Sequence, residues 1–130
     1  MKKILMVCSI LAFTTVSAYA DGPPTFFKDT YPEHALKSAL DARGALEGEG
    51  AELNAKTREL IALGVAAQIP CIYCVYAHTK GARANGATEA EIREAVATAA
   101  TVRQWSTVLN GMAYDFEAFK AEFDKMQATD

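Results

Sequence analysis

Hydrophobic side chains recur every three or four residues along most of the chain, which is the spacing of one face of an α-helix. No segment sustains the alternation of apolar and polar positions that is typical of a half-buried β-strand. The pattern therefore predicts an all-α fold. Five helices are predicted: from Pro32 to about residue 46, after Asn54, from Pro70 to Asn85-Gly86, from Thr88 to Asn110-Gly111, and over a last amphipathic segment with Phe116, Phe119, Phe123 and Met126.

Polar residues mark several helix ends. Asn54 is a suitable N-cap, and Thr88 with Glu91 three residues later forms a capping box. Asn85-Gly86 suits a left-handed C-terminal stop. The helix after Asn54 is too apolar for a surface helix and is predicted to be central. Its apolar or small residues are Leu60, Ile61, Leu63, Gly64, Val65, Ala67 and Ile69.

The segment before the first helix has a different composition. Residues 21–31 contain Gly22-Pro23-Pro24 and are predicted to be extended or irregular. Phe26 and Phe27 are expected to pack onto the body of the protein or onto another subunit. Residues 32–130 are then predicted to form a single helical domain.

The first twenty residues have the composition of a secretory signal peptide. Lys2 and Lys3 are followed by an uncharged apolar stretch and by Ala18-Tyr19-Ala20, a small-residue cleavage site. Cleavage is expected after Ala20, which predicts a periplasmic or secreted protein without a membrane anchor. A lipoprotein signal would use Cys8, but the apolar stretch before that residue is too short.

Removal of residues 1–20 leaves 110 residues, enough for one modest domain that oligomerisation would help to stabilise. Loss of Lys2 and Lys3 lowers the formal charge from −3 to −5. An acidic surface argues against nucleic acid or an anionic membrane as partner.

Cys71, Cys74 and His78 lie on one side of a single predicted helix, because spacings of three and four residues return to the same face. Cleavage would remove Cys8 and leave Cys71 and Cys74 as the only two cysteines. A disulfide that closes so short a loop constrains the unfolded chain very little, so the pair is a poor structural staple. The spacing favours redox chemistry or metal binding instead.

Three sequence blocks resemble the superfamily of carboxymuconolactone decarboxylase and alkyl hydroperoxidase D. They are Lys56-Thr57-Arg58-Glu59-Leu60-Ile61-Ala62-Leu63, Cys71-x-x-Cys74-x-x-x-His78 and Gly86-Ala87-Thr88-x-x-Glu91-Ile92. The resemblance covers about residues 33–110. It implies the all-helical bundle of that superfamily, usually assembled as trimers or hexamers.

The resemblance also implies a set of catalytic residues. The hydroperoxidase D branch carries the two cysteines, the histidine and a glutamate on the preceding helix, which correspond to Cys71, Cys74, His78 and Glu59. That branch often has a histidine just before the second cysteine, where this chain has Tyr73. Tyrosine is a poor proton acceptor at neutral pH, which argues against a proton relay through this position.

These groups predict an antioxidant, thiol-dependent peroxidase or a thiol–disulfide oxidoreductase. His78 would accept the proton of Cys74, and Glu59 would orient the imidazole or hold a bridging water. Cys74 would attack a hydroperoxide and Cys71 would resolve the sulfenic acid, although Cys71 lies nearer the helix N-terminus and could be the more stable thiolate. No tightly bound cofactor is expected. An external dithiol or a protein reductant is expected to reduce the disulfide.

Two other functions stay open. A lactone decarboxylase is disfavoured by the cysteine pair and by the secretory leader. A zinc-binding module could use Cys71, Cys74, His78 and Glu59 as ligands, but three ligands from one helix seldom surround a tetrahedral ion. His34 has no such neighbours and is predicted to be a surface residue.

Overall fold

The computed structural model describes residues 22–128, and all regular secondary structure in that range is helical, which confirms the all-α prediction. The six helices are α1 (Thr25–Thr30), α2 (Glu33–Glu47), α3 (Ala55–Gln68), α4 (Ile72–Ala84), α5 (Glu89–Gly111) and α6 (Phe116–Gln127). The predicted signal peptide, its cleavage after Ala20 and Cys8 lie outside the described residues. No helix between residues 22 and 128 is long and apolar enough to cross a membrane.

The chain divides between Gly48 and Glu49 into two compact units. This boundary falls in the Gly- and Glu-rich break that follows α2. The first unit contains α1 and α2, and the second contains α3 to α6. All of the predicted site residues belong to the second unit.

The prediction of an extended or irregular segment at residues 21–31 is wrong for Thr25–Thr30, which form α1. Pro24 is the N-cap, and its carbonyl accepts the backbone N–H of Phe27 at 3.0 Å. A proline is tolerated at a helix start because the first N–H groups of a helix have no intrahelical partner. The Thr30 hydroxyl donates to the Phe26 carbonyl at 2.6 Å and closes the short helix.

The capping residues of the second unit occur as predicted. The Asn54 side chain accepts the Thr57 N–H at 2.9 Å. Thr88 and Glu91 form a complete capping box at the start of α5. Gly86, just beyond α4, has a φ of +82°, a left-handed conformation that favours glycine.

The core of the second unit is small and lies between α3, α4 and α5. It consists of buried Leu63, Ala82 and Ile92, with Leu60, Val75 and Ala87 packed against them. Helix α3 contacts both α4 and α5, which confirms its predicted central place. However, Ile61 and Val65 on α3, and Ile69 at its C-cap, are more than half exposed.

Polar contacts fasten both ends of α3 to α5. Near the start, Lys56 Nζ donates to Glu91 Oε1 at 2.7 Å. Near the end, Gln68 Nε2 donates to the Ala99 carbonyl at 2.6 Å, and Arg103 Nε donates to Gln68 Oε1 at 2.9 Å. The hydrogen bond from Lys56, followed by those from Thr88, lowers the pKa of Glu91 to about 2.

Candidate active site

The start of α4 is capped by a cysteine. Cys71 is extended and precedes the helix, and its Sγ accepts the Cys74 backbone N–H at 3.2 Å. The Cys71 N–H itself donates to the Ala66 carbonyl at 3.1 Å, which leaves Pro70 in the turn after α3. The prediction that the helix begins at Pro70, with Cys71 in its first turn, is therefore wrong by two positions: the helix begins at Ile72, and Cys71 is the N-cap.

Cys71 and Cys74 are joined in a disulfide, with Cα atoms 5.3 Å apart. Both cysteines are half-buried at the start of α4. Cys71 is the N-cap of α4 and Cys74 lies in its first turn. Their separation of three residues therefore brings the two sulfurs together within this one helix start.

Glu59 and His78 form an ion pair or hydrogen bond between neighbouring helices. Glu59 Oε2, on α3, lies 2.8 Å from His78 Nδ1, on α4, and the side chains are 21% and 29% exposed. An ionised carboxylate only accepts hydrogen bonds, so Nδ1 carries the proton in this contact. The other ring nitrogen, Nε2, is then left to accept a proton.

The structure forms two pairs from the four predicted site residues, Cys71 with Cys74 and Glu59 with His78. The disulfide and the Glu59–His78 contact share α4, on which Cys74 and His78 lie one turn apart and are both half-buried. Tyr73 is 81% exposed. His34 is exposed on α2, in agreement with the prediction that it is a surface residue.

One residue of the site was missed by the sequence interpretation. Gly81 lies on α4, one turn beyond His78, against the carboxylate of Glu59. A Cβ at this position would lie 2.5 Å from both Cδ and Oε2 of Glu59 and 2.8 Å from Oε1. The only sequence signal was a glycine in the interior of a helix, which often has a packing or functional reason.

A groove of about 440 Å³ lies along α4. Its lining is mostly apolar with a basic rim, and consists of Pro70, Ile72, Val75, Tyr76, Thr79, Lys80 and Arg83. Lys80 Nζ lies 5.9 Å from the centre of the Tyr76 ring. Arg83 is held by Glu89, with Nε to Oε1 at 2.6 Å, and this contact raises the pKa of Arg83 and lowers the pKa of Glu89.

The zinc alternative needs at least three ligands around one point. Among residues 22–128, no group of three or more His, Cys, Asp or Glu side chains is arranged to hold a metal ion. In the disulfide form, both sulfurs are bonded to each other.

Comparison with known proteins supports the resemblance seen in the sequence. The model of the carboxymuconolactone decarboxylase family matches residues 34–115. A protein of Paracoccus denitrificans, "Uncharacterized protein 4 in cox locus", is 41% identical over 69 residues, which are 53% of this chain and 56% of that protein. An uncharacterized protein of Haemophilus influenzae is 49% identical over 52 residues, 40% of this chain and 44% of its own length. The chain spans about half the length of these curated relatives.

Proposed function

The chain belongs to the carboxymuconolactone decarboxylase family, and on that premise we propose that it is an exported thiol-dependent peroxidase or thiol–disulfide oxidoreductase of the alkyl hydroperoxidase D type. One observation carries the proposal. The helix that bears the Cys71–Cys74 disulfide also bears His78, whose Nδ1 is held 2.8 Å from a carboxylate. Such a pair combines a reversible two-electron couple with an oriented proton acceptor.

The oxidative half of the cycle begins with the dithiol. His78 Nε2 takes the proton of Cys74, and the thiolate attacks the terminal oxygen of a hydroperoxide. An S–O bond forms as the O–O bond breaks, the proton passes to the departing alkoxide, and the alcohol leaves. Cys74 is now a sulfenic acid.

The second step forms the disulfide. The Cys71 thiol attacks the Cys74 sulfur, the S–O bond breaks, and the oxygen leaves as water. An external dithiol, either small or protein-borne, then reduces the disulfide by exchange and is itself oxidised. In the disulfide-exchange version of the function, a disulfide substrate takes the place of the hydroperoxide.

The two sulfurs have different surroundings, which bears on which of them attacks. The Cys71 sulfur accepts a backbone N–H at the start of α4, which favours its thiolate. Cys74 lies one turn from His78, which favours its rapid deprotonation near a proton acceptor. We retain Cys74 as the attacking residue towards peroxide and Cys71 as the resolving residue.

Two further properties are part of the proposal. Residues 1–20 act as a cleavable signal peptide, so protein recovered from the periplasm should begin at Asp21 when its N-terminus is sequenced. The mature chain is a homo-oligomer, a trimer or a hexamer, because large apolar side chains on α3, α5 and α6 are exposed in a single copy. Light scattering of the purified protein measures the subunit number.

The experiment that tests the function follows thiol loss in the pre-reduced mature protein on addition of an organic hydroperoxide. Loss that outpaces free cysteine and ends in an intramolecular disulfide is expected. The Cys71→Ser variant should stop at a sulfenic acid on Cys74, and the Cys74→Ser variant should react no faster than free cysteine. A wild-type rate equal to that of free cysteine would remove the peroxidase function and leave disulfide exchange to be assayed.

A further inference from the structure

We propose that Gly81 is a positioning residue of the site: its missing side chain leaves the space in which the Glu59 carboxylate sits while it holds His78. The inference rests on the proposed function for its catalytic meaning. Its structural basis is independent of that function, because it depends only on how α3 and α4 approach each other.

The first argument is the identity of the crowded atom. A Cβ on residue 81 would lie 2.5 Å from Glu59 Oε2. The same Oε2 accepts the hydrogen bond from His78 Nδ1 at 2.8 Å. Heavy atoms do not approach a Cβ this closely, so an alanine at residue 81 and the present carboxylate position exclude each other.

The second argument is that the displaced group is free to move. The crowded atoms are the far end of a flexible side chain, and the Glu59 side chain is 21% exposed. The helix backbones therefore need not separate, since Glu59 can turn away towards solvent. The cost of an alanine falls on the contact with His78 and not on the packing of α3 against α4.

The third argument comes from the neighbouring position. Ala82 is completely buried in the core next to Leu63, so α4 is anchored one residue beyond Gly81. Glycine weakens the interior of a helix relative to alanine. Gly81 weakens α4, and the three atoms nearest to an alanine Cβ at this position all belong to the Glu59 carboxylate. The hydrogen bond that the glycine permits accounts for its presence.

The test uses Gly81→Ala, with Gly44→Ala as its matched control. Gly44 lies inside α2, and a Cβ there would have nothing within 4 Å. Both variants gain the same helix-forming residue, so neither should have a lowered Tm. Only Gly81→Ala should lose the contact between Glu59 and His78.

The first readout is the proton–nitrogen correlation NMR spectrum of the oxidised protein, whose histidine ring nitrogens carry the isotope label. The chain has two histidines, so His34 serves as the internal reference. In the wild type, the Nδ1 proton of His78 should give a downfield resonance in slow exchange, which is the signature of a hydrogen bond to a carboxylate. This resonance should disappear in both Gly81→Ala and Glu59→Ala, and persist in Gly44→Ala. Its persistence in Gly81→Ala would overturn the proposal.

The second readout is the rate of thiol loss to hydroperoxide in a double-mutant cycle. Gly81→Ala should lower the rate by the same factor as Glu59→Ala, and the double variant should be no slower than Glu59→Ala alone. A further loss in the double variant would show that residue 81 acts by another route and would overturn the inference. If the wild type proves unreactive towards peroxide, the peroxidase function fails, while loss of the NMR resonance in Gly81→Ala still supports the positioning role.

Discussion

Helices α4 and α6 are similar in length but differ in how their side chains are buried. Helix α6 has the clearer apolar face, with Phe116, Phe119 and Phe123 in a row, yet none of its residues is buried. Helix α4 has a weaker face, yet it is anchored by fully buried Ala82 and carries the site. An apolar stripe thus predicts a helix with one apolar face, but does not show that this face is buried. The position of α4 depends on small residues and a few polar contacts, which leave little trace in hydrophobic periodicity.

The sharpest test of this difference removes one group from each helix. Cys74→Ser should lower the rate of peroxide-dependent thiol loss to that of free cysteine, because no attacking thiolate remains beside His78. Phe123→Ala on α6 should keep the wild-type rate. Stopped-flow thiol titration of the two pre-reduced proteins measures both. Equal rates in the two variants would contradict the assignment of the chemistry to α4.

The next largest effect is expected from the proton acceptor. His78→Ala should slow thiol loss at neutral pH by about 10²–10⁴-fold, the usual contribution of a positioned general base. His34→Ala is the matched control, since His34 is the other histidine of the chain and is exposed. Both variants should keep the far-ultraviolet circular dichroism of the wild type. An unchanged rate in His78→Ala would remove the imidazole from the mechanism.

Stability should separate the two regions as clearly as activity does. Leu63→Ala removes a fully buried side chain of α3 from the core and should lower the free energy of unfolding by about 2–5 kcal/mol. Phe116→Ala removes a larger apolar side chain from α6, but that residue is mostly exposed, and a change of about 0.5 kcal/mol is expected. Urea denaturation of dilute protein measures both, and a larger loss from Phe116→Ala would reverse the comparison.

A smaller effect is expected where α4 begins. Cys71→Ser and Cys71→Ala both remove the disulfide, but serine can replace the sulfur as acceptor of the Cys74 N–H and alanine cannot. Cys71→Ser should therefore be more stable than Cys71→Ala by about 1 kcal/mol. Chemical denaturation of the two variants gives the difference. Identical stabilities would mean that the cap contributes nothing to α4.

The smallest effect concerns the ion pair between Lys56 on α3 and Glu91 on α5. The pKa of Glu91 is lowered from 4.5 to about 2, so its contacts stabilise the fold above pH 4.5 and are lost as the pH falls from 4.5 towards 2. Glu91→Gln should remove this part of the acid sensitivity. The drop in Tm between pH 6 and pH 3 should be smaller in the variant than in the wild type. An equal drop would assign the acid sensitivity to other carboxylates.

The sequence predicted most of the second unit because its signals are local. Asn54 and the Thr88–Glu91 box fix helix starts through residues three positions away, and the spacing of Cys74 and His78 needs only the geometry of one helix. Recognition of Glu59 needed the family resemblance, since nothing nearby in sequence links it to His78.

The features that the sequence did not predict depend on contacts between distant residues or on competition at helix ends. The role of the space at Gly81 depends on a side chain 22 positions earlier, which periodicity does not report. Cys71 became a cap because its N–H is already used by the Ala66 carbonyl at the end of α3. Helix α1 formed because Pro24 can cap a short helix as readily as it can break one.

The capping role of Cys71 has a consequence for the reduction potential of the disulfide. A thiolate at this position accepts the Cys74 N–H more strongly than a disulfide sulfur does, so the start of α4 favours the reduced state. Every 1.4 kcal/mol of such preference raises the midpoint reduction potential of the pair by about 30 mV. The capping hydrogen bond therefore makes the disulfide a better oxidant than it would be without the Cys74 N–H.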